Sequence, residues 1–184
     1  MKRHVIGDTH FYHERIIALC DRHPKNRKER FFDSEEMNEY MISCWNQHVG
    51  ENDEVIHVGD FALCRYYDQL QAVFKRLNGR ISLILGNHDC HSKLTKERLY
   101  RLGFERIEKK EIILPDIKII FTHKPIQNPD TDWFNIHGHI HEKKSLFPNQ
   151  FNVSVERNDY CPFLLQDIID SVVKPYFMKG ITHA

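Results

Sequence analysis

The stretch Ile81-Ser82-Leu83-Ile84-Leu85-Gly86-Asn87-His88-Asp89 decides the fold of this chain. A short run of isoleucine and leucine that ends at a glycine is typical of a buried strand. Directly after the glycine come an amide, an imidazole and a carboxylate, which are side chains that bind metals or transfer protons. The stretch therefore predicts a strand whose carboxyl end carries chemically active groups.

The same arrangement recurs at four other places, where a short apolar run leads into polar residues. The motifs there are Gly7-Asp8-Thr9-His10, Gly59-Asp60, Thr122-His123 and Gly138-His139-Ile140-His141. Open α/β sheets form their ligand sites at the carboxyl ends of strands, so we expect the five motifs to meet at one edge. In four motifs a glycine directly precedes a candidate ligand. We interpret these glycines as points where the backbone takes angles that other residues avoid.

The motifs together supply the carboxylate, amide and imidazole donors needed to hold two divalent metals beside a phosphate ester. The candidate ligands are Asp8, His10, Asp60, Asn87, His123, His139 and His141. Imidazole nitrogens suit zinc, iron, nickel or manganese, whereas the oxygens suit harder ions. We expect two divalent ions, with manganese first and iron, nickel or zinc as alternatives. The extra histidine, His88, is a candidate for proton transfer.

Taken in order, these motifs resemble those of the calcineurin-like metallophosphoesterase superfamily, over residues 7–141. Within it, the chain is similar to a group of small single-domain bacterial and phage phosphoesterases. The shared features are Asp8-Thr9-His10-Phe11-Tyr12-His13, Met37-Asn38, Trp45-Asn46, Gly59-Asp60-Phe61 and Asn158-Asp159-Tyr160. The resemblance implies a four-layer α/β/β/α sandwich with two mixed sheets. The alternation of predicted strands and helices early in the chain also favours an α/β fold.

The resemblance also implies a role for each site residue. Three ligands would bind each metal, in the sets Asp8, His10, His141 and Asn87, His123, His139. Asp60 would bridge the two ions. A hydroxide that bridges the metals would attack the phosphorus in line. His88 would contact the substrate and donate to the leaving oxygen, and Asp89 would orient His88.

Three residues next to the motifs are candidate substrate contacts. Arg65 follows the second motif and Lys124 follows the fourth, and either can hold a phosphate oxygen or simply be solvated at the surface. His13 is expected at the start of a helix, with a structural role as the alternative to a substrate contact. His57 lies within a predicted strand and is interpreted as a core histidine with satisfied hydrogen bonds. His137 is interpreted as a structural residue or a support for the ligands, because the ligand pattern of the last motif assigns its other two histidines.

Charge and cysteine content limit the classes of protein to which the chain can belong. The 26 basic and 26 acidic residues give zero formal net charge, so no general field attracts nucleic acid, although a local basic patch would suffice. The five cysteines are widely spaced, which argues against a disulfide framework or a zinc ribbon. The amino terminus enters the first strand directly, and no apolar run has membrane-spanning length. We expect one catalytic domain over residues 1–184, working in the cytoplasm without a membrane partner.

Patterns between the motifs predict the connecting elements. Residues 22–30 form a basic loop, which is either a solvated turn or a positive rim that guides a polyanionic substrate. Asp33-x-x-Glu36 has the spacing of a capping box ahead of a helix. Residues 92–101 suggest a short helix and residues 112–121 a hairpin of two strands. A last helix is expected near residues 162–173.

These features favour a dinuclear metal-dependent phosphohydrolase that acts on phosphate esters, with diesters preferred over monoesters. One alternative within the same chemistry is a nuclease or a nucleotide phosphatase, whose substrate would be nucleic acid or a nucleotide. An alternative from another class is a metal-binding interaction module without catalysis. Loss of chemistry should appear as missing ligands or a missing histidine at position 88, and the sequence has all of them.

Overall fold

The structure, a computed structural model, describes residues 1–64, 66–91 and 96–180. Its strands are β1 (Arg3–Ile6), β2 (Glu54–His57), β3 (Arg80–Ile84), β4 (Arg106–Glu108), β5 (Glu111–Leu114), β6 (Ile119–Thr122), β7 (Phe134–His137), β8 (Gln150–Asn152) and β9 (Phe163–Leu164). Its α-helices are α1 (Glu14–Leu19), α2 (Ser34–His48), α3 (Tyr67–Phe74), α4 (Asn87–His91), α5 (Lys96–Leu102), α6 (Leu165–Ile168) and α7 (Lys174–Gly180).

The strands form two sheets, and each sheet mixes parallel and antiparallel pairs. In the first sheet the order is β4-β3-β2-β1-β9, and only β9 runs antiparallel to its neighbour. In the second the order is β5-β6-β7-β8, with β5 antiparallel to β6 and the other pairs parallel. The predicted α/β class with two mixed sheets is therefore confirmed.

Two apolar clusters hold these layers together. Helices α2, α3 and α5 pack with one face of the first sheet in a cluster that includes Ile6 and Leu83. The opposite face packs against the second sheet and the carboxyl-terminal helices in a cluster that includes Val5 and Phe121. Adjacent residues of β1 thus enter different clusters, as the two-residue period of a strand requires. The first sheet is buried on both faces, which explains its continuous apolar runs.

Helix α2 begins where the sequence places it. The carboxylate of Asp33 accepts a hydrogen bond of 2.8 Å from the backbone N–H of Glu36, a cap that contributes about 1 kcal/mol. Met37, Met41 and Trp45 follow at helical spacing and are all buried in the first cluster. This apolar stripe of the helix is therefore core packing.

The hairpin is confirmed, whereas the helix boundaries differ from the prediction. Strands β5 and β6 pair antiparallel around a 3-10 turn at Pro115–Ile117. Of the helix predicted over residues 92–101, residues 92–95 lie outside the described part, and α5 continues to Leu102. The last helical segment reaches Gly180 rather than ending near residue 173. A π-helical turn at Ile169–Val173 joins α6 to α7, and Pro175 occupies the first turn of α7, where a missing N–H is tolerated.

In the part of the chain that the structure describes, no helix has both the length and the apolar character needed to cross a bilayer. The described cysteines, Cys20, Cys44, Cys64 and Cys161, are free thiols.

Candidate metal centre

The loops that follow the strands lie side by side at one edge of the two sheets. The N–H of Asp8 donates to the carbonyl of Gly59 at 2.9 Å, and the N–H of His10 donates to the carbonyl of Asp60 at 3.0 Å. In the second sheet, the N–H of Gly138 donates to the carbonyl of His123 at 3.0 Å. Backbone hydrogen bonds thus hold neighbouring motif loops in register before any side chain is considered.

One cluster of candidate ligands comes from the first and last motifs. Asp8, His10 and His141 each offer a ligand atom, and these atoms lie within 4.8 Å of one another. Oδ2 of Asp8 accepts hydrogen bonds of 2.8 Å from the hydroxyl of Ser154 and the N–H of His139. Its Oδ1 is buried without a hydrogen-bond partner, as is Nε2 of His10. Oδ2 of Asp8 is therefore fixed by hydrogen bonds, whereas Oδ1 keeps its lone pairs available for a ligand.

A second cluster comes from Asp60, His123 and His139, whose ligand atoms also lie within 4.8 Å. Nδ1 of His123 donates to the carbonyl of Val58 at 2.9 Å, so Nε2 of the neutral ring carries a lone pair. That Nε2 lies 3.0 Å from Oδ1 of Asn87. Two acceptor atoms that face each other at this distance suit a shared cation.

Asp60 lies between the two clusters. Its Oδ2 is 3.5 Å from Nε2 of His10 and 3.5 Å from Nε2 of His123. Its Oδ1 accepts a hydrogen bond of 2.8 Å from the N–H of His88. The buried carboxylate therefore has one oxygen tied to the backbone and the other directed at imidazoles from both clusters.

Without a metal, burial disfavours the charged forms of these side chains. The shifted pKa values therefore test whether a metal fits the site. Burial raises the pKa of the Asp8 carboxyl to about 7. Burial, and next the charge of Arg22, holds the pKa of His10 well below its ordinary value. Burial likewise lowers the pKa of His139 to about 4. A divalent cation would favour the carboxylate and would use the neutral imidazoles as ligands, so the residues fit a metal.

Backbone strain is concentrated on the candidate ligands themselves. Five of them have a positive φ between 50° and 71°, namely Asp8, His10, Asp60, His139 and His141. Residues other than glycine avoid this left-handed region, at about 1–3 kcal/mol each. The fold therefore holds several strained residues in one place, which is common where side chains must be aimed at a ligand.

The motif glycines are needed mainly because a Cβ would collide with neighbouring atoms. A Cβ at position 86 would lie 2.1 Å from Oδ1 of Asp60, and one at position 138 would lie 2.4 Å from Oδ2 of Asp8. Of the four motif glycines, only Gly59 has a left-handed φ, at 100°. The interpretation by backbone freedom is thus right for Gly59 and wrong for Gly7, Gly86 and Gly138, where close packing excludes a side chain.

His88 and Asp89 lie next to the clusters in different environments. The half-buried ring of His88 has its centroid 5.1 Å from that of His10, and its imidazole also groups with His10 and Asp60. The buried carboxylate of Asp89 accepts hydrogen bonds from the N–H groups of Asp60, Phe61 and Gly86 at 2.8–2.9 Å. Through these bonds Asp89 connects the two motif loops that contain Asp60 and Gly86. The role that the resemblance implies for Asp89 is a different one, the orientation of His88.

Arg22 and Glu156 belong to the site, although the sequence analysis did not find them. Arg22 is fully buried and donates to the carbonyls of Asp8 at 2.6 Å and Thr9 at 2.9 Å. It also forms an ion pair of 2.7 Å with Glu156, whose Oε1 lies 3.0 Å from Nδ1 of His141. Assigning Arg22 to an exposed basic loop was wrong, because its partner lies 134 residues away and leaves no local signal.

The three candidate substrate contacts differ in position. His13 precedes α1, and its Nδ1 lies 3.1 Å from Nδ1 of His10. The exposed Lys124 lines a cavity together with Asn87 and His123. Arg65 lies outside the described residues.

The structural interpretation of His57 and His137 is confirmed. Both are fully buried. His57 lies 3.0 Å from the hydroxyl of Thr9, and His137 lies 2.9 Å from that of Ser145.

Comparison with known proteins identifies the family of this chain. The profile of the family described as calcineurin-like phosphoesterase matches residues 1–177. The uncharacterized protein MJ1445 of Methanocaldococcus jannaschii is 32% identical over 194 residues, covering 98% of this chain and 96% of the relative. A protein of unknown function from Aquifex aeolicus, AQ665, superposes with a TM-score of 0.70 at 24% identity, over 93% of this chain and 99% of its own. An archaeal phosphodiesterase superposes less well, with a TM-score of 0.46 at 22% identity, over 84% and 82%.

A family profile that matches nearly the whole chain and a relative that aligns from end to end agree with the fold and with the convergence of the ligands. The chain belongs to the calcineurin-like phosphoesterase family and is a metal-dependent phosphoesterase.

Proposed function

We propose that the protein is a dinuclear phosphodiesterase, with Asp8, His10 and His141 around one metal and Asn87, His123 and His139 around the other. The observation that carries this proposal is the position of Asp60, whose Oδ2 is equally distant from an imidazole of each cluster, at 3.5 Å. A carboxylate shared in this way is suited to bridge two ions. When bound, the ions would lower the pKa of a coordinated water and neutralise charge on the phosphoryl oxygens.

The ligand set is compatible with several divalent ions, and manganese is the one we propose. It combines neutral imidazoles with carboxylate and amide oxygens, and manganese accepts both kinds of donor. Iron, nickel and zinc are the alternatives.

His88 is the proposed acid. Its backbone N–H is fixed to Oδ1 of Asp60 at 2.8 Å, while its half-buried ring reaches the edge of the cluster beside His10. A protonated imidazole there would hydrogen-bond to a phosphoryl oxygen and transfer its proton to the leaving oxygen. His13 lies next to His88, with ring centroids 5.7 Å apart, and is a second candidate for contact with the substrate.

Asp89 and Arg22 are proposed as positioning residues. Asp89 binds three backbone amides and so ties the loop of Asp60 to the loop of Asn87. Arg22 binds the carbonyls of residues 8 and 9, which carry the strained backbone of the first motif, and it orients Glu156 towards His141. Both act on the catalytic groups through other residues, without touching the substrate.

The proposed preference for diesters rests on the space beside the ligands. A diester carries a substituent on each side of its phosphorus, whereas a monoester carries one. A cavity of about 450 Å³ begins at Asn87 and His123 and extends to the turn between β4 and β5. This volume lies in the range of small-molecule sites and provides room for a second substituent.

The nuclease alternative loses part of its support. Of the basic loop at residues 22–30, Arg22 points inward. Arg27 forms an ion pair of 2.6 Å with Glu36, and Arg30 forms one of 2.5 Å with Asp21. These arginines are therefore engaged within the protein, which leaves Lys25 and Lys28 as the exposed lysines of the loop and reduces the positive charge that it offers to a nucleic-acid strand.

Hydrolysis of bis-p-nitrophenyl phosphate tests the proposal. We expect turnover with Mn²⁺, loss of at least about 100-fold after removal of metal by a chelator, and recovery when Mn²⁺ is restored. The matched monoester, p-nitrophenyl phosphate, should react more slowly. Faster hydrolysis of the monoester would overturn the diester preference, and inertness of the metal-loaded protein towards both esters would favour an interaction module.

A further inference from the structure

The cavity beside the candidate metal centre is lined by three lysines, Lys109, Lys110 and Lys124. Asn87 and His123 also line it, so the cavity adjoins the proposed ligands of one metal. At about 450 Å³ it is large enough for part of a small substrate. It therefore adjoins the position where the reacting phosphate would bind.

Topology explains why lysines from distant parts of the sequence meet here. Strand β4 runs parallel to β3, so both end at the edge that carries the motifs. Strand β5 starts at that same edge, because it runs antiparallel to β6. The two-residue link between β4 and β5, Lys109-Lys110, crosses from one sheet to the other at this point. Lys124 directly follows a proposed ligand.

The three ammonium groups are not engaged by other parts of the protein that the structure describes. All three lysines are exposed, and none forms an ion pair with a described carboxylate. By contrast, the nearby Arg106 is paired with Glu108 at 2.8 Å. Glu111 is the one carboxylate among the described residues that line the cavity, so positive charge dominates. Such a cavity favours an anionic group.

We propose that the cavity binds a second phosphate of the substrate, so that the protein acts on a small phosphodiester that also carries a phosphate monoester, as in a nucleoside 5′-phosphodiester with a phosphate on its 3′ oxygen. This inference rests on the proposed function, because it assigns the reacting phosphate to the neighbouring metals. A small substrate fits better than a nucleic-acid strand, since the three lysines line one cavity of about 450 Å³ and the arginines of the basic loop are paired.

Two thymidine substrates that differ only in the second phosphate provide the test. Thymidine 5′-(p-nitrophenyl phosphate) lacks it, and the same ester with a 3′-phosphate carries it. We expect the wild type to prefer the 3′-phosphorylated ester by about tenfold in kcat/KM, from charge-assisted hydrogen bonds to lysine. The double variant Lys109→Ala/Lys110→Ala should reduce that preference towards unity while leaving the plain ester unchanged within about twofold.

The control is Lys75→Ala, which removes an exposed lysine at the end of α3 and should keep the full preference. Added salt should weaken the preference, because exposed charges are screened. Calorimetric titration of the metal-loaded protein with thymidine 3′,5′-bisphosphate and thymidine 5′-phosphate gives a readout without turnover. The bisphosphate should bind more tightly, and the double variant should bind the two equally.

Three outcomes would overturn the inference. Equal hydrolysis of both esters by the wild type would refute the second phosphate site and leave the phosphodiesterase intact. Faster cleavage of single-stranded DNA, abolished in the double variant, would replace the small substrate by nucleic acid. Absence of turnover on either ester, together with inertness towards bis-p-nitrophenyl phosphate, would refute the proposed function and this inference with it.

Discussion

Replacing Asp60 by asparagine is expected to lower kcat/KM for a phosphodiester by about a thousandfold or more. The substitution keeps the size of the side chain but removes the one negative charge directed at both clusters. Loss of several kcal/mol of transition-state stabilisation corresponds to this factor, since each 1.4 kcal/mol changes a rate tenfold. We expect weaker binding of both ions, because Oδ2 lies 3.5 Å from an imidazole on each side.

The fold should tolerate this change. Residue 60 has a φ of 54°, and asparagine adopts the left-handed region more readily than most residues. Asp68→Asn, an exposed isosteric change in α3, provides the control and should leave metal content and activity unchanged. A folded Asp60→Asn protein that retains both ions and more than about a tenth of its activity would contradict the bridging role.

Replacing His88 by alanine is expected to slow hydrolysis by about 10²–10⁴ while both metals stay bound. The structure offers two roles for this imidazole, because it groups with His10 and Asp60 as a possible ligand and also reaches the edge of the site. Metal content measured beside kcat separates them. Loss of an ion would show that His88 is a ligand, and retention of both ions with low kcat supports the role of acid.

Substrates with different leaving groups make this test of His88 more specific. A p-nitrophenolate leaves without a proton, whereas a phenolate or an alkoxide needs one. If His88 protonates the leaving oxygen, the defect of His88→Ala should increase as the pKa of the leaving group rises. His48→Ala, which removes an exposed histidine at the end of α2, should behave as the wild type. An equal defect with every leaving group would restrict His88 to stabilising charge on the phosphoryl oxygens.

The fold could be predicted because its signals are local. Strands β1, β2 and β3 of the first sheet are short apolar runs that end at a polar motif, so their direction and the motif positions follow from the sequence. The capping residue Asp33 and the stripe behind it also lie within one helix. The last helical segment extends beyond the predicted end near residue 173, because Pro175 lies in the first turn of α7, where it needs no N–H partner.

Parts of the site could not be predicted, because they depend on contacts between distant segments. Ser154 binds Asp8 across 146 residues, and Arg22 binds Glu156 across 134. No pattern in the sequence marks either pair, and a buried arginine in a basic stretch looks like an exposed one. One signal was available for Ser154, since it follows strand β8 as the other site residues follow their strands.

The role of the motif glycines also depends on residues that are distant in the sequence. Their position before the ligands was informative, but the reason for it at Gly86 is the carboxylate of Asp60, 26 residues earlier in the chain. The unusual backbone angles belong to the ligands instead, including Asp8 and His139. The position of a glycine can be read from the sequence. The neighbouring atoms that exclude a Cβ are known only from the structure.

The central claim is that two metals share Asp60, and a titration of the metal-free protein with Mn²⁺ followed by electron paramagnetic resonance tests it most directly. Two Mn²⁺ ions per chain, with the spectrum of a magnetically coupled pair that Asp60→Asn abolishes, are the predicted result. Saturation at one ion per chain, or two ions without coupling, would contradict the shared carboxylate and the dinuclear function built on it.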